Sequence, residues 1–260
     1  MTEAGPRAGG IDIWERHAAW WQGEFTQGAD VEYEEQILPL AVGHLAGSSR
    51  ILDMGCGEGQ VARAAAAAGP AGVTVAGIEP AWAQVQAAAG RGGGVGYVRG
   101  RGEALPFPDG AFDAVVTCLV LEHTDDLDAI LAEVARVLEP GGRFVLFTNH
   151  PLFQTPGSGW IDDQVLDPPE QYWRVGEYLT EVVTLEQVDA NVVLPFAHRT
   201  LSTYVNALAR AGLLVHHMDE PPPPAGFLAQ DVQYASAATI PRLLALRSEK
   251  VARGPAGASS

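Results

Sequence analysis

The chain has little with which to grip anions and little with which to cross-link itself. Its 260 residues hold 16 Lys and Arg against 32 Asp and Glu, a formal net charge of −16, and Lys250 is the only lysine. Duplex nucleic acid is held by clustered Lys and Arg, so no nucleic-acid partner is expected. The two cysteines, Cys56 and Cys118, sit far apart with no CxxC or His-rich context. That spacing suggests neither a zinc site nor a disulfide framework, so no metal is expected and a reduced compartment is. The longest apolar candidate, AVVTCLVL, has 8 residues, well short of the 18 or more that read as a membrane helix. MTEAGPRAGG lacks the basic-then-apolar profile of a signal peptide. The expectation is cytoplasmic, with no membrane contact. With 47% hydrophobic and only 18% charged residues, the composition is that of a folded globule and not of a disordered chain.

What is present is a rhythm. Residues 11–46 carry an aromatic apolar face that predicts two or three helices, interrupted near Gly28 and Pro39. RILDM (50–54), VTVAGI (73–78), VGYVRG (95–100), a stretch within AFDAVVTCLVL (111–121) and RFVLFTN (143–149) read as strands. Between them, QVARAAAAAG, PAWAQVQAAA and DDLDAILAEVARVLEPGG read as helices, the last closed by Pro140-Gly141-Gly142. Strands apolar on both faces, alternating with helices, specify a parallel sheet covered on both sides. After Asn149 the rhythm breaks into a polar-aromatic stretch over 150–175, then a hairpin, a helix, a strand, a rigid PPPP turn and a returning antiparallel strand.

The chemistry concentrates in ILDMGCGEGQVAR (51–63), where Gly55, Gly57 and Gly59 sit at a strand-to-helix turn. A dinucleotide fold would use GxGxxG with pyrophosphate on the helix N-terminus. Here the pattern is GxGxG, and Asp53 lies inside the turn. A carboxylate there opposes a pyrophosphate and suits an ammonium group. Glu79 ends the second strand, 26 positions on, where an acid accepts ribose hydroxyls. An amino-acid moiety over the glycines with a ribose on the acid describes S-adenosylmethionine.

The run from Ile51 to Thr148 resembles class I S-adenosylmethionine-dependent methyltransferases of the UbiE/type 11 kind, through LDMGCGEG, GIEP, EALPFPDGAFDAVV, LVLEH and LAEVARVLEPGGRFVLFTNHP. The resemblance implies an α/β, Rossmann-like, doubly wound seven-stranded sheet with its last strand antiparallel. It implies a single domain: an N-terminal helical lid (11–46), a cofactor core (49–150), a substrate-cap insertion after strand five (151–200) and a C-terminal part of the core (201–250). Carried over, Asp53, Gly55, Cys56 and Gly57 border the methionine part of the cofactor, and Glu79 holds the ribose. Gly102, Glu103 and Ala104 line the adenine pocket, closed by Cys118 and Leu119. Where many relatives place an Asp after the third strand, this chain has Arg101.

Around that core, His150, His123 and His198 are the candidate bases, with His150 favoured because it follows strand five directly. Trp20, Tyr33, Trp160, Asp162, Tyr172 and Trp173 are the candidate acceptor contacts. Cys56 suits packing in a tight turn, and Asp162-Asp163 lacks the further ligands a metal needs. An apolar cup with few polar groups points to methylation of a small, partly lipophilic or aromatic molecule. Methylation of RNA or protein, and a non-catalytic protein that binds S-adenosylmethionine, remain alternatives. Homodimer formation stays open.

Overall fold

A computed structural model describes residues 10–168, 170–230 and 238–252. The chain enters through α1 (Ile11–Glu24), which ends where Gln27 and Gly28 both take positive φ. A second helical stretch then runs without a break through a π-turn (Tyr33–Ile37) into α2 (Leu38–Leu45). Pro39 was expected to interrupt this helix. Its missing N–H and its ring instead coincide with the wide turn, in which Leu38 N–H bonds Tyr33 C=O across five residues.

The alternating segment forms β1 (Arg50–Met54), α3 (Gln60–Ala68), β2 (Thr74–Glu79), α4 (Trp82–Arg91), β3 (Gly96–Arg99), β4 (Phe112–Cys118), α5 (Leu127–Val137) and β5 (Leu138–Asn149). Beyond lie β6 (Gly159–Asp163), β7 (Glu170–Arg174), β8 (Val182–Asp189), β9 (Val192–His198), α6 (Leu201–Arg210), β10 (Leu213–Asp219), α7 (Ala225–Leu228) and β11 (Leu243–Lys250). The main sheet has seven strands in the order β10-β11-β5-β4-β1-β2-β3. β11 inserts antiparallel between β5 and β10, and β1 through β5 pair parallel. This is the expected Rossmann-like sheet with its last strand antiparallel.

Two buried clusters, one per face, show why the strands read as continuous apolar runs. Leu52, Val115, Phe144 and Leu146 pack under α5 and α6, while Ile51, Val116, Val145 and Phe147 pack under α2 and α3. Adjacent residues of each strand therefore serve opposite layers.

Two segments differ from their sequence reading. Pro140-Gly141-Gly142 does not simply stop α5: the helix ends at Val137, and the chain enters β5 at once through a bulge, with the register jumping from Phe112↔Leu138 to Ala114↔Arg143. The 150–175 stretch, read without strands, forms the β6–β7 hairpin. Trp160 pairs directly with Trp173 there, their rings meet edge to face at 5.4 Å, and Phe153 stacks on Trp173 at 4.5 Å. No local alternation announces these strands; the aromatic pairing across them does the work.

Candidate active site

Strand order reverses around β1, whose neighbours are β2 and β4. A crevice opens at the carboxyl end of such a switch point. The cleft there draws on the turn after β1, the ends of β2 and β4, the 100–103 loop and α1.

The turn is built by glycines with positive φ, 73° at Gly55 and 53° at Gly57. A Cβ on Gly55 would lie 2.4 Å from Val120 Cγ2, so only glycine lets the turn pass beneath the β4 exit. Two buried acids hold this turn. Asp53 Oδ2 accepts from Ala62 N at 3.0 Å, tying the strand end to the first turn of α3. Glu79 accepts from Gly57 N at 3.1 Å and from Ala81 N at 2.9 Å. Burial pushes both carboxyls up to about 7, opposed by these backbone N–H groups; for Asp53 the nearby Glu79 charge adds to the rise.

Of the expected cofactor residues, Asp53, Gly55, Cys56, Gly57, Glu79, Gly102, Glu103, Cys118 and Leu119 line the cleft. Ala104 stands just outside, its N–H bonded to Arg101 C=O. Arg101 takes the position where an Asp is common and grips Glu103 through two bonds, of 3.2 and 3.0 Å. Both cysteines are buried with their thiols pushed up by desolvation, which keeps them protonated and makes packing the role that fits Cys56. Leu119 takes φ 54° at the β4 exit, an uncommon conformation for a non-glycine residue.

The three candidate bases separate sharply. His150 Nδ1 accepts from Leu152 N at 3.2 Å, and its Nε2 meets Glu220 Oε1 at 2.8 Å. Both ring nitrogens are committed, and His150 is not among the residues lining the cleft. The preference for His150 is therefore corrected: the turn after β5 aims its ring at Glu220. His198 Nε2 bonds Tyr178 C=O at 2.8 Å, also away from the cleft. His123 does line it. Its Nδ1 lies 2.8 Å from Pro195 C=O, which can only accept, so Nδ1 carries the proton and Nε2 keeps a bare lone pair. Burial lowers its pKa, against the raising influence of Glu122 and the Pro195 bond. The adjacent Glu122 turns inward, bonding Thr148 Oγ1 and Asn149, and so joins the ends of β4 and β5.

Of the expected acceptor contacts, Tyr33 reaches the cleft, with its hydroxyl 3.8 Å from Cys118 Sγ. Trp20 does not: it packs on Trp21 and Phe25. Trp160, Asp162, Tyr172 and Trp173 belong to the β6–β7 hairpin and contribute nothing to the lining. Trp14 and Trp21, aromatics whose sequence reading favours helix packing, both line the cleft. Helical spacing held the signal, because positions seven apart share a face and position 20 lies about 100° away. Trp14 meets the His123 ring at 4.8 Å.

The residues present fit S-adenosylmethionine. Buried acids at the ends of β1 and β2 face the cleft where an ammonium and ribose hydroxyls would lie, and the glycine turn leaves room that a Cβ would close. Among the described residues no cluster of three His, Cys, Asp or Glu side chains suited to a metal occurs.

Residues 52–146 match the methyltransferase domain family. The ubiquinone/menaquinone biosynthesis C-methyltransferase UbiE of Methylobacterium nodulans is 43% identical over 101 residues, covering 37% of this chain and 40% of that protein. The demethylmenaquinone methyltransferase of Thermus thermophilus is 35% identical over 127 residues, 48% and 57% of the two chains. The 27-O-demethylrifamycin SV methyltransferase of Amycolatopsis mediterranei is 32% identical over 162 residues, 60% and 54%. The chain thus spans about half the length of these curated relatives. An S-adenosylmethionine-dependent methyltransferase structure from Mesorhizobium loti superposes with a TM-score of 0.69 at 28% identity, over 85% of this chain and 98% of that one. With its glycine turn, its two strand-end acids and its sheet order, the chain matches the methyltransferase domain family over residues 52–146 and has the fold of the class I S-adenosylmethionine-dependent methyltransferases.

Proposed function

We propose that the chain transfers a methyl group from S-adenosylmethionine to a small, partly apolar acceptor bearing a hydroxyl or an acidic C–H, with His123 as the base. The observation that carries this reading is the fixed tautomer of His123 at the cleft wall, its Nδ1–H on Pro195 C=O. The bound cofactor would supply an electrophilic methyl on a sulfonium. The protein's own part is to hold the acceptor in line, exclude water and take its proton. A buried neutral imidazole with a bare Nε2 suits that last task, and burial keeps it neutral at physiological pH.

The wall around His123 is apolar, formed by Trp14, Leu119 and Val120, with the Tyr33 hydroxyl as a further polar group. Burial raises the Tyr33 pKa well above its ordinary value, so this phenol donates hydrogen bonds and does not act as a base. Such a wall suits a flat or lipophilic acceptor, and the named relatives act on quinone precursors and a rifamycin. His123→Ala should lower turnover by about 10²–10⁴-fold while leaving S-adenosylhomocysteine affinity within a few-fold. Single-turnover kinetics beside calorimetry checks this. A loss under about threefold would show that positioning alone drives transfer.

A further inference from the structure

We infer that Trp21 of α1 is a cofactor ligand, its indole N–H donating to the carboxylate of the cofactor's amino-acid end. The inference rests on the S-adenosylmethionine reading of the cleft and adds a residue that the sequence motif does not contain.

Three observations meet at this point. Trp21 Nε1 lies 3.8 Å from where a Cβ on Gly57 would stand, so the indole N–H roofs the glycine turn at close range. No hydrogen-bond partner is found for that N–H among the described residues, and Trp21 lines the cleft. By contrast, Trp20 Nε1 is sealed away from the cleft in the aromatic packing of α1. At the N-terminus of α3, directly below, Gly59 occupies the cap position without a side chain, and the Asp53 carboxylate takes the Ala62 N–H, which leaves the Gln60 and Val61 N–H groups of the first turn. Helix N-termini left open in this way hold anions.

The charges around the turn make a donor from above necessary. A carboxylate placed over Gly57 meets the buried acids Asp53, Glu58 and Glu79. The nearby cations are already engaged: Arg63 and Arg91 both pair with Glu58, and Arg101 pairs with Glu103 at the other end of the cleft. Gln60 Nε2 is anchored on Phe25 C=O through one of its two N–H groups. Donors that remain beside the turn include the first N–H groups of α3 from below and the Trp21 indole from above. Because α1 delivers the indole, the placement of this helix over the turn and the grip on the cofactor's tail are coupled.

Trp21→Phe tests the assignment, since a phenyl ring keeps the stack on Phe25 (4.3 Å) and the edge contact with Trp14 (5.6 Å) but removes the N–H. Calorimetry should compare S-adenosylmethionine with its decarboxylated analogue, which keeps the ammonium, ribose and adenine. Losing one hydrogen bond to a charged group should weaken the variant for S-adenosylmethionine by about tenfold or more. Affinity for the decarboxylated analogue should change less than about twofold. Equal weakening of both ligands would assign Trp21 a packing role and overturn the inference, as would unchanged affinity for both. If the wild-type chain bound neither ligand, the cofactor reading itself would fall, and this inference with it.

Discussion

Two carboxyls, Asp53 and Glu79, set the pH behaviour of the site. Both are pushed up to about 7 in the folded chain against 3.8 and 4.5 as ordinary values. The folded state thus holds more protons than the unfolded chain between about pH 4 and 7. Their contribution to stability is greatest at low pH and is lost as pH rises through 7. In the proposed site, a cofactor ammonium beside Asp53 and ribose hydroxyls on Glu79 would favour the ionised forms, so binding would release protons. Affinity for S-adenosylhomocysteine should rise about tenfold from pH 6 to pH 8 and then level off, and Glu79→Gln should flatten this slope. Titration calorimetry in buffers of different ionisation enthalpy reads the proton release directly. Binding that is flat with pH would show that neither acid meets the ligand.

The elements around the cleft are held by a few cross-element contacts. α4 has no side-chain cap of its own, and Glu15 of α1 supplies one, accepting from Trp82 N and from Ala83 N at 3.1 Å. Gln22 Nε2 adds a bond to Gln84 Oε1 at 2.9 Å. The helix over the cofactor cleft is therefore latched to the helix that follows Glu79. Removing a helix cap costs about 1 kcal/mol, and for a chain of this size that lowers the melting temperature by about 2–4 °C. Glu15→Ala should do so and should speed hydrogen exchange through residues 11–24 without affecting the main sheet. Unchanged exchange in α1 would mean that its aromatic contacts alone secure it. On the far side, His150 and Glu220 join the exit of β5 to the polyproline segment, whose Pro222 C=O accepts from Gln36 in the π-turn. His150 thus braces the wall that carries Tyr33.

For the whole molecule, a bound cofactor should stabilise the fold by mass action. At a ligand concentration 100 times Kd the gain is about 2.7 kcal/mol, several degrees in a melting experiment. S-adenosylmethionine and S-adenosylhomocysteine should both produce it. NAD should not, because its pyrophosphate would meet the buried Asp53 and Glu79 carboxyls. Stabilisation by NAD alone would overturn the reading of the cleft. With 16 basic and 32 acidic residues the chain is also a poor match for phosphate backbones, which favours the small-molecule acceptor over RNA.

What the sequence determined by itself is the local grammar: five apolar strands alternating with helices, glycines at the β1–α3 turn, and Asp53 and Glu79 at strand ends. These were legible because each depends on residues a few positions apart and on backbone rules that allow few alternatives. Pairing across distance was decided only by tertiary structure. Trp160 and Trp173 gain their hairpin from each other, Pro39 is tolerated by a wide turn behind it, and β11 finds its place between β5 and β10. The proposed base is His123 in place of His150 for the same reason. Both histidines follow a strand of the sheet, but the direction of each ring depends on a partner some 70 positions away, Glu220 for one and Pro195 for the other. Spacing along the chain carries no information about such partners, because the hydrogen bond that orients a buried imidazole exists only once distant segments have packed.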